Sequence, residues 1–115
     1  MVDESTGGVV AEKVRSADSF FARFQGLMLR RKLGDGEAML FKFPKLGRHS
    51  IHMFFVRFPI DLVYLDDDWK VVEVRNGIKP WRFHHSRVGS KYLVEMPAGS
   101  IYRLKIDLGH KIAET

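Results

Sequence analysis

The sequence predicts an α+β fold, a β-rich small twisted barrel or sandwich of five to seven mostly antiparallel strands with one N-terminal amphipathic helix. Two observations carry this prediction. Short apolar runs separated by turn residues recur through the later part of the chain, and one earlier stretch has helical periodicity. A chain of 115 residues with 45% hydrophobic content can bury one core. We therefore expect a flexible N-terminus at residues 1–8 and a single domain at residues 9–115.

The helix is predicted at residues 16–32, after a first strand at residues 9–14. Ser16 or Asp18 can cap its start, and Gly34 and Gly36 can end it. Five apolar side chains fall on one helical face, which favours packing against the core. They are Phe20, Phe21, Phe24, Leu27 and Met28.

The remaining elements are strands divided by turn residues. Pro44, Pro59 and Asn76–Gly77 interrupt the apolar runs, and three aspartates at 66–68 indicate a tight hairpin turn. Residues 79–90 contain few aliphatic side chains, which predicts a long surface loop. The predicted strands are 38–43, 50–56, 60–65, 69–75, 91–96 and 111–113, with one helical turn at 100–104.

The composition excludes several kinds of site. The chain has no cysteine, which removes disulfides, thiolate metal sites and cysteine nucleophiles. The sequence also lacks a phosphate-binding glycine loop and the common hydrolase and zinc-protease motifs. We expect no cofactor and no bound metal. The apolar runs are far shorter than the roughly 20 residues that cross a bilayer, so we expect no membrane span and a cytoplasmic location, with a signal or anchor on a longer natural chain left open.

The net charge of +5 is concentrated in two parts of the sequence. No acid occurs between Glu73 and Glu95, or between Glu37 and Asp61, and these stretches are rich in bases. Such clusters serve either as solvated surface or as a site for anions. The bases concerned are Arg75, Lys79, Arg82, Arg87 and Lys91 in the first stretch, and Lys42, Lys45, Arg48 and Arg57 in the second.

Asp61 is the most unusual residue, because it lies within a strand whose apolar neighbours predict burial on both faces. An isolated buried carboxylate is costly, so Asp61 must be paired or hydrogen-bonded, or must face a cleft. One interpretation is structural, with backbone N–H donors or an arginine such as Arg23 or Arg57 as the partner. The other is a pocket carboxylate that anchors a ligand or acts as a general base.

Four histidines are candidates for binding or acid/base chemistry. His49 and His52 are three residues apart, which places them on opposite faces of a strand and argues against a shared metal. His84 and His85 lie in the basic loop beside Trp81. Aromatic rings mixed with cations are typical of loop packing, of acidic-ligand sites and of single-stranded nucleic-acid sites.

Six segments together resemble the domain of unknown function 192 family, over roughly residues 9–113. The resemblance implies a mixed α/β domain with a small twisted barrel, and no established reaction, cofactor or partner. This chain departs from the family pattern at Ile51, at His52 and after Gly109, where the family usually has aspartate and this chain has His110. The segments are RFQGLMLRR (23–31), AMLFKFP (38–44), HSIHM (49–53), PIDLVYLD (59–66), VVEV (71–74) and VEMPAG (94–99).

The leading functional hypothesis is a non-enzymatic binding domain for a small ligand or a protein, with a basic surface loop. Its expected partner is an anionic small molecule or an acidic protein surface. The alternatives are a small hydrolase-like enzyme that uses Asp61 and a histidine, and nucleic-acid binding through the basic loop, which is the less favoured. The candidate binding residues are Asp61, His52, His49, Arg57, Trp81, Arg82, His84, His85 and Arg87.

Overall fold

The computed structural model describes residues 1–17, 36–47, 50–52, 59–79 and 83–114. Ten strands and one helix lie in these ranges. In chain order they are β1 (Val2–Asp3), β2 (Gly8–Val9), β3 (Lys13–Ala17), β4 (Glu37–Gly47), β5 (Ser50–His52), β6 (Ile60–Leu65), β7 (Val71–Ile78), β8 (Phe83–His85), β9 (Ser90–Pro97), α1 (Ser100–Leu104) and β10 (Ile112–Ala113). Within this part of the chain, no helix is long and apolar enough to span a membrane.

A five-stranded sheet in the order β3-β4-β9-β6-β7 forms the centre of the fold. β3 pairs in parallel with β4, and the other neighbouring strands pair antiparallel. The predicted β-rich fold is therefore confirmed. The predicted barrel is not supported, because β3 and β7 end the sheet and do not pair with each other in the described residues.

Two smaller sheets accompany it, one in the order β10-β1-β2 and the other formed by β5 and β8. The β10-β1-β2 sheet lies beside β7, because the segment before β10 is hydrogen-bonded to it. Val71 N–H donates to His110 O at 2.8 Å, and Gly109 N–H donates to Val71 O at 2.8 Å. Asp3 is buried, with Oδ1 accepting Ser5 N–H at 2.9 Å and Oδ2 lying 2.8 Å from His110 Nδ1. Residues 1–8, expected to be flexible, thus include two short strands, and their mobility stays a prediction.

The central sheet carries an apolar cluster on each face, because successive residues of a strand point to opposite sides. On the helix face, the sheet packs against α1 and the β10-β1-β2 sheet through side chains such as Ile101 and Ile112. The strand residues of this face include Ala38, Leu40, Val63, Leu65, Val94 and Met96. The opposite face carries Met39, Phe41, Phe43, Ile60, Leu62, Tyr64 and Leu93.

The predicted helix does not begin at Ser16, because Ser16 and Ala17 pair with Leu40 and Phe41 as the end of β3. The rest of that prediction, residues 18–32, lies outside the described residues. β4 runs through Pro44 to Gly47, with a register shift in its pairing that accommodates a residue lacking an N–H group.

Two other parts of the prediction also differ from the structure. Asn76 and Gly77 do not close a turn but belong to β7, where Gly77 has a φ of 59°. The predicted loop at 79–90 contains β8. β6 and α1 have the predicted bounds, and β5 covers the start of the strand predicted at 50–56, whose later residues are not described.

Candidate functional site

The Asp61 carboxylate bonds to backbone donors from two other elements. Asp61 is 1% exposed, and its Oδ1 accepts the Gly77 N–H of β7 at 2.7 Å. Its Oδ2 accepts the Ile101 N–H in the first turn of α1 at 2.9 Å. The helix is preceded by Gly99, which has no side chain to cap it. Asp61 therefore supplies the missing cap from the sheet and fastens α1 to the end of β7.

These bonds favour the structural interpretation of Asp61. Both oxygens accept a backbone N–H, which is how a buried carboxylate is normally stabilised. A general base needs a lone pair directed at a substrate. The hydrolase-like alternative therefore loses the carboxylate on which it depended, and Asp61 is not carried into the proposal below.

The other predicted site residues fall into three groups. His52 lies on β5 and His84 and His85 on β8, and the two strands pair antiparallel with Ser50 opposite His85 and Ile51 opposite His84. The backbone thus brings these histidines into one small sheet. Arg87 follows β8 and is exposed. The last group lies outside the described residues, namely His49, Arg57, Trp81 and Arg82.

The loop after β8 is anchored on the central sheet by Glu73. The Glu73 Oε1 accepts the Arg87 N–H at 2.7 Å and the Val88 N–H at 3.1 Å. Its Oε2 lies 3.6 Å from Arg75 Nε. The Glu73 side chain is 7% exposed and that of Arg75 is 35% exposed. Glu73 therefore holds the basic loop against the edge of the sheet.

We expect Glu73→Gln to loosen this loop. An amide keeps one acceptor oxygen but loses the charge that strengthens both bonds, at a cost of about 1–2 kcal/mol. Amide hydrogen exchange at Arg87 and Val88 should accelerate, while exchange in β6 should change little. Exposed Glu12→Gln is the control for charge removal. Unchanged exchange at both amides would contradict the anchoring role.

Glu73 belongs to a polar cluster on the opposite face, defined here as Tyr64, Glu73, Arg75 and Glu95. The register places Tyr64 directly across from Glu73, and Leu62 between Arg75 on one side and Glu95 on the other. Glu95 is diagonal to Tyr64 across the β6–β9 pair, a separation that long side chains bridge. The four side chains therefore share one side of three adjacent strands.

Glu95 is the deepest member of the polar cluster. It is 4% exposed, on the strand between β4 and β6, and burial raises the pKa of its carboxyl from the ordinary 4.5 to about 8. Burial therefore favours the protonated form of the Glu95 carboxyl at neutral pH.

Both acids of the polar cluster affect the pKa of the Tyr64 hydroxyl. Burial raises the pKa of its hydroxyl well above the usual range, and the charges of Glu73 and then Glu95 raise this pKa further. Arg75 lowers it, as the smallest of the four effects. Glu73, and Glu95 once it is ionised, therefore each affect the Tyr64 hydroxyl more than Arg75 does.

The sequence prediction did not select this cluster. Glu95 was considered as part of the family segment VEMPAG, and Glu73 and Glu95 as the two ends of an acid-free stretch. The available signal was the same one that drew attention to Asp61, an acid within an apolar strand. Applied to Leu93-Val94-Glu95-Met96, it would have identified Glu95.

The acidic turn at Asp66, Asp67 and Asp68 brings carboxylate oxygens within 4.8 Å of one another. Its geometry is explained by local bonds, since Asp66 Oδ1 accepts the N–H groups of Asp68 and Lys70 at 2.9 Å. Beside it, an open depression of about 270 Å³ is lined by Asp68, Trp69 and residues 111–114. Neither feature contains a buried polar group that lacks a partner.

Comparison with known proteins identifies relatives along almost the entire chain. The model of the DUF192 family, described as an uncharacterised ACR, matches residues 2–113. A UPF0127 protein from Thermococcus sibiricus is 38% identical over 97% of this chain and 72% of its own. A UPF0127 protein from Pyrococcus furiosus is 34% identical over 97% of this chain and 95% of its own. These names carry no molecular function.

Two crystal structures share the fold. One, from Sinorhizobium meliloti, is described as a candidate transcription regulator; it has a TM-score of 0.81 and 27% identity, over 85% of this chain and 78% of that chain. The other is a protein of unknown function from Novosphingobium aromaticivorans, with a TM-score of 0.80 and 22% identity, over 96% of this chain and 89% of that chain. The resemblance predicted from the sequence is confirmed, and the chain belongs to the DUF192 family.

Proposed function

We propose that this chain is a non-enzymatic binding domain for a small ligand, which contacts the polar cluster on the opposite face of the central sheet. The observation that carries the proposal is Glu95, a carboxyl buried within the central sheet on β9, whose pKa burial raises to about 8. Such a group is normally satisfied in a folded protein. A ligand that bonds to it would remove the penalty.

The surroundings of Glu95 support a ligand site. Apolar side chains such as Met39, Leu62 and Leu93 adjoin it and the polar groups are few, which is the usual make-up of a small-molecule site. The Arg75 side chain is 35% exposed and the Glu73 side chain 7% exposed, and Glu95 is buried. We therefore expect a ligand to approach from the β7 side of the sheet.

The loop that Glu73 anchors would form one side of this approach. It contains exposed Arg87, one of the bases of the basic loop predicted from the sequence. The Sinorhizobium meliloti neighbour is described as a candidate transcription regulator. A site for a small effector is a component that such a regulator would use, so this description agrees with the proposal.

The proposal is tested by a fragment screen read out by amide chemical shifts. Polar fragments with an apolar ring should shift the backbone signals of β6, β7 and β9 near Tyr64, Glu73 and Glu95, and the shifts should saturate. Glu95→Leu should stay folded, because it places a similar volume of apolar atoms in an apolar site, and should lose the response. Glu12→Gln should keep it.

Two results would reject the proposal. The first is a screen in which no fragment gives saturable shifts on these three strands. The second is binding that is confined to the basic loop and weakens steeply with salt, which is the behaviour of the nucleic-acid alternative.

A further inference from the structure

We infer that the surface around α1 docks an acidic segment of another protein. This α1 surface consists of residues 76–79 and 98–105. It is separate from the site in the proposed function, because α1 packs against the helix face of the central sheet and the polar cluster lies on the opposite face. The inference therefore adds a second kind of partner, and it is tested independently of the small ligand.

Asp61 brings the two segments of the α1 surface together. Its Oδ1 accepts the Gly77 N–H at 2.7 Å, and its Oδ2 accepts the Ile101 N–H at 2.9 Å. Ser100 and Ile101 are buried, and the Ser100 hydroxyl donates to Pro97 O at 2.6 Å. The backbone of the α1 surface is therefore held in place before a partner binds, which lowers the entropic cost of docking.

Tyr102 projects from the α1 surface into solvent. It is 86% exposed, more than any other large hydrophobic residue of the described chain. A single exposed ring does not by itself indicate an interface, since such residues are common on protein surfaces. Tyr102 is, however, followed by exposed Arg103. Tyrosine and arginine are among the residue types that contribute most to binding energy at protein interfaces.

The exposed charges of the α1 surface are all positive. Lys79, Arg103 and Lys105 are exposed, and neither segment contains an acid. The Asp61 carboxylate, buried between the two segments, has both oxygens bonded to backbone N–H groups. A positive potential attracts acidic partners and speeds their association. Charge complementarity therefore selects a segment rich in aspartate or glutamate.

The α1 surface suits a protein better than other partners of negative charge. Proteins that bind a single nucleic-acid strand use a groove with several rings for stacking, and this surface has one aromatic residue, Tyr102. Recognition of an anionic membrane takes a cluster of about four to eight bases, and this surface has three. Small molecules bind in concave sites, whereas Tyr102 projects outward. An acidic segment with an apolar side chain matches one ring flanked by cations.

The test titrates a short peptide of alternating glutamate and leucine into the full chain, with affinity read from amide chemical shifts. The same peptide with glutamine in place of glutamate is the comparison. We expect the glutamate peptide to give saturable shifts at residues 76–79 and 98–105. The glutamine peptide should bind about tenfold more weakly, because it lacks the charges that the bases attract.

Two variants at exposed positions locate the binding energy on the α1 surface. Tyr102→Ser should weaken binding of the glutamate peptide about tenfold, and Lys105→Gln about threefold. Leu108→Ser and Lys13→Gln are the matched controls, because they remove an exposed apolar side chain and an exposed charge outside the α1 surface. Both controls should keep the affinity of the unchanged chain.

The inference is overturned if the glutamate peptide gives no saturable shifts on the α1 surface, if the two peptides bind equally, or if the controls lose as much affinity as Tyr102→Ser. Tighter binding of oligothymidylate or of phosphatidylserine vesicles to the same residues would also overturn it, in favour of a nucleic acid or a membrane. Shifts confined to β6, β7 and β9 near the polar cluster would support the proposed function and reject docking at α1.

Discussion

Replacement of Asp61 by alanine is expected to lower the free energy of unfolding by about 3–5 kcal/mol, because it leaves two buried N–H groups without acceptors and creates a small void. The donors belong to Gly77 in β7 and Ile101 in α1. The loss should therefore appear as early release of the helix from the sheet. Urea unfolding measures the free energy, and hydrogen exchange at Ile101 reports the release.

Asp61→Asn separates the contribution of charge from that of shape. One amide oxygen can still accept a bond, but the NH₂ group then faces the second backbone donor, so the loss should be close to that of alanine. Asp66→Ala is the matched control, because Asp66 Oδ1 also accepts two backbone N–H groups, at an exposed turn. Water can replace that acceptor, and we expect a loss of about 1 kcal/mol or less. Equal losses at the two sites would contradict the importance of burial.

The sequence identified Asp61 as unusual but could not identify its partners. A carboxylate within an apolar run needs a hydrogen-bond partner if it is buried, and this need can be recognised from the neighbouring residues alone. Gly77 and Ile101 lie 16 and 40 positions away in the sequence. The arginine partners suggested from the sequence were chosen by charge, whereas the observed partners are backbone groups, which every residue except proline possesses.

The same distinction between local and distant information explains the fold prediction. β6 was predicted with its observed bounds, because Pro59 precedes and three aspartates follow a short run rich in β-branched and aromatic residues. β4 and β7 were cut short at Pro44 and at Asn76–Gly77, residues that usually mark turns. Pairing with β9 and β6 overrides those local preferences by irregular registers. Such pairing is not encoded in any short window of sequence.

The polar cluster was missed for a related reason. Tyr64, Glu73, Arg75 and Glu95 are adjacent only because β9 and β7 pair with β6 on its two sides. In sequence they occur in three separate segments, and the alternation along each strand decides which of them share a face. His110 shows the same effect, since the residue that departs from the family pattern lies beside Asp3 at 2.8 Å, on a distant strand.

Glu95→Gln is expected to stabilise the fold at alkaline pH. The raised pKa means that the folded state holds a proton that the unfolded state has lost between pH 4.5 and about 8. Stability due to this group is therefore fully present below pH 4.5 and falls as pH rises, by about 1.4 kcal/mol per pH unit, until it levels off above pH 8. Glutamine fills the same space and never ionises.

The difference in unfolding free energy between Glu95→Gln and the unchanged chain should thus be small near pH 4 and reach several kcal/mol in favour of the variant above pH 8, a window set by the raised pKa. Urea unfolding across this range measures it, with Glu12→Gln as an exposed control that should show no such trend. A fold retains such a penalty most readily when the group has a task. If the variant is more stable yet unable to bind the fragments that bind the unchanged chain, Glu95 is a binding residue kept at the expense of stability. A flat difference would instead mean that Glu95 is already compensated in the fold, and the basis for a ligand there would disappear.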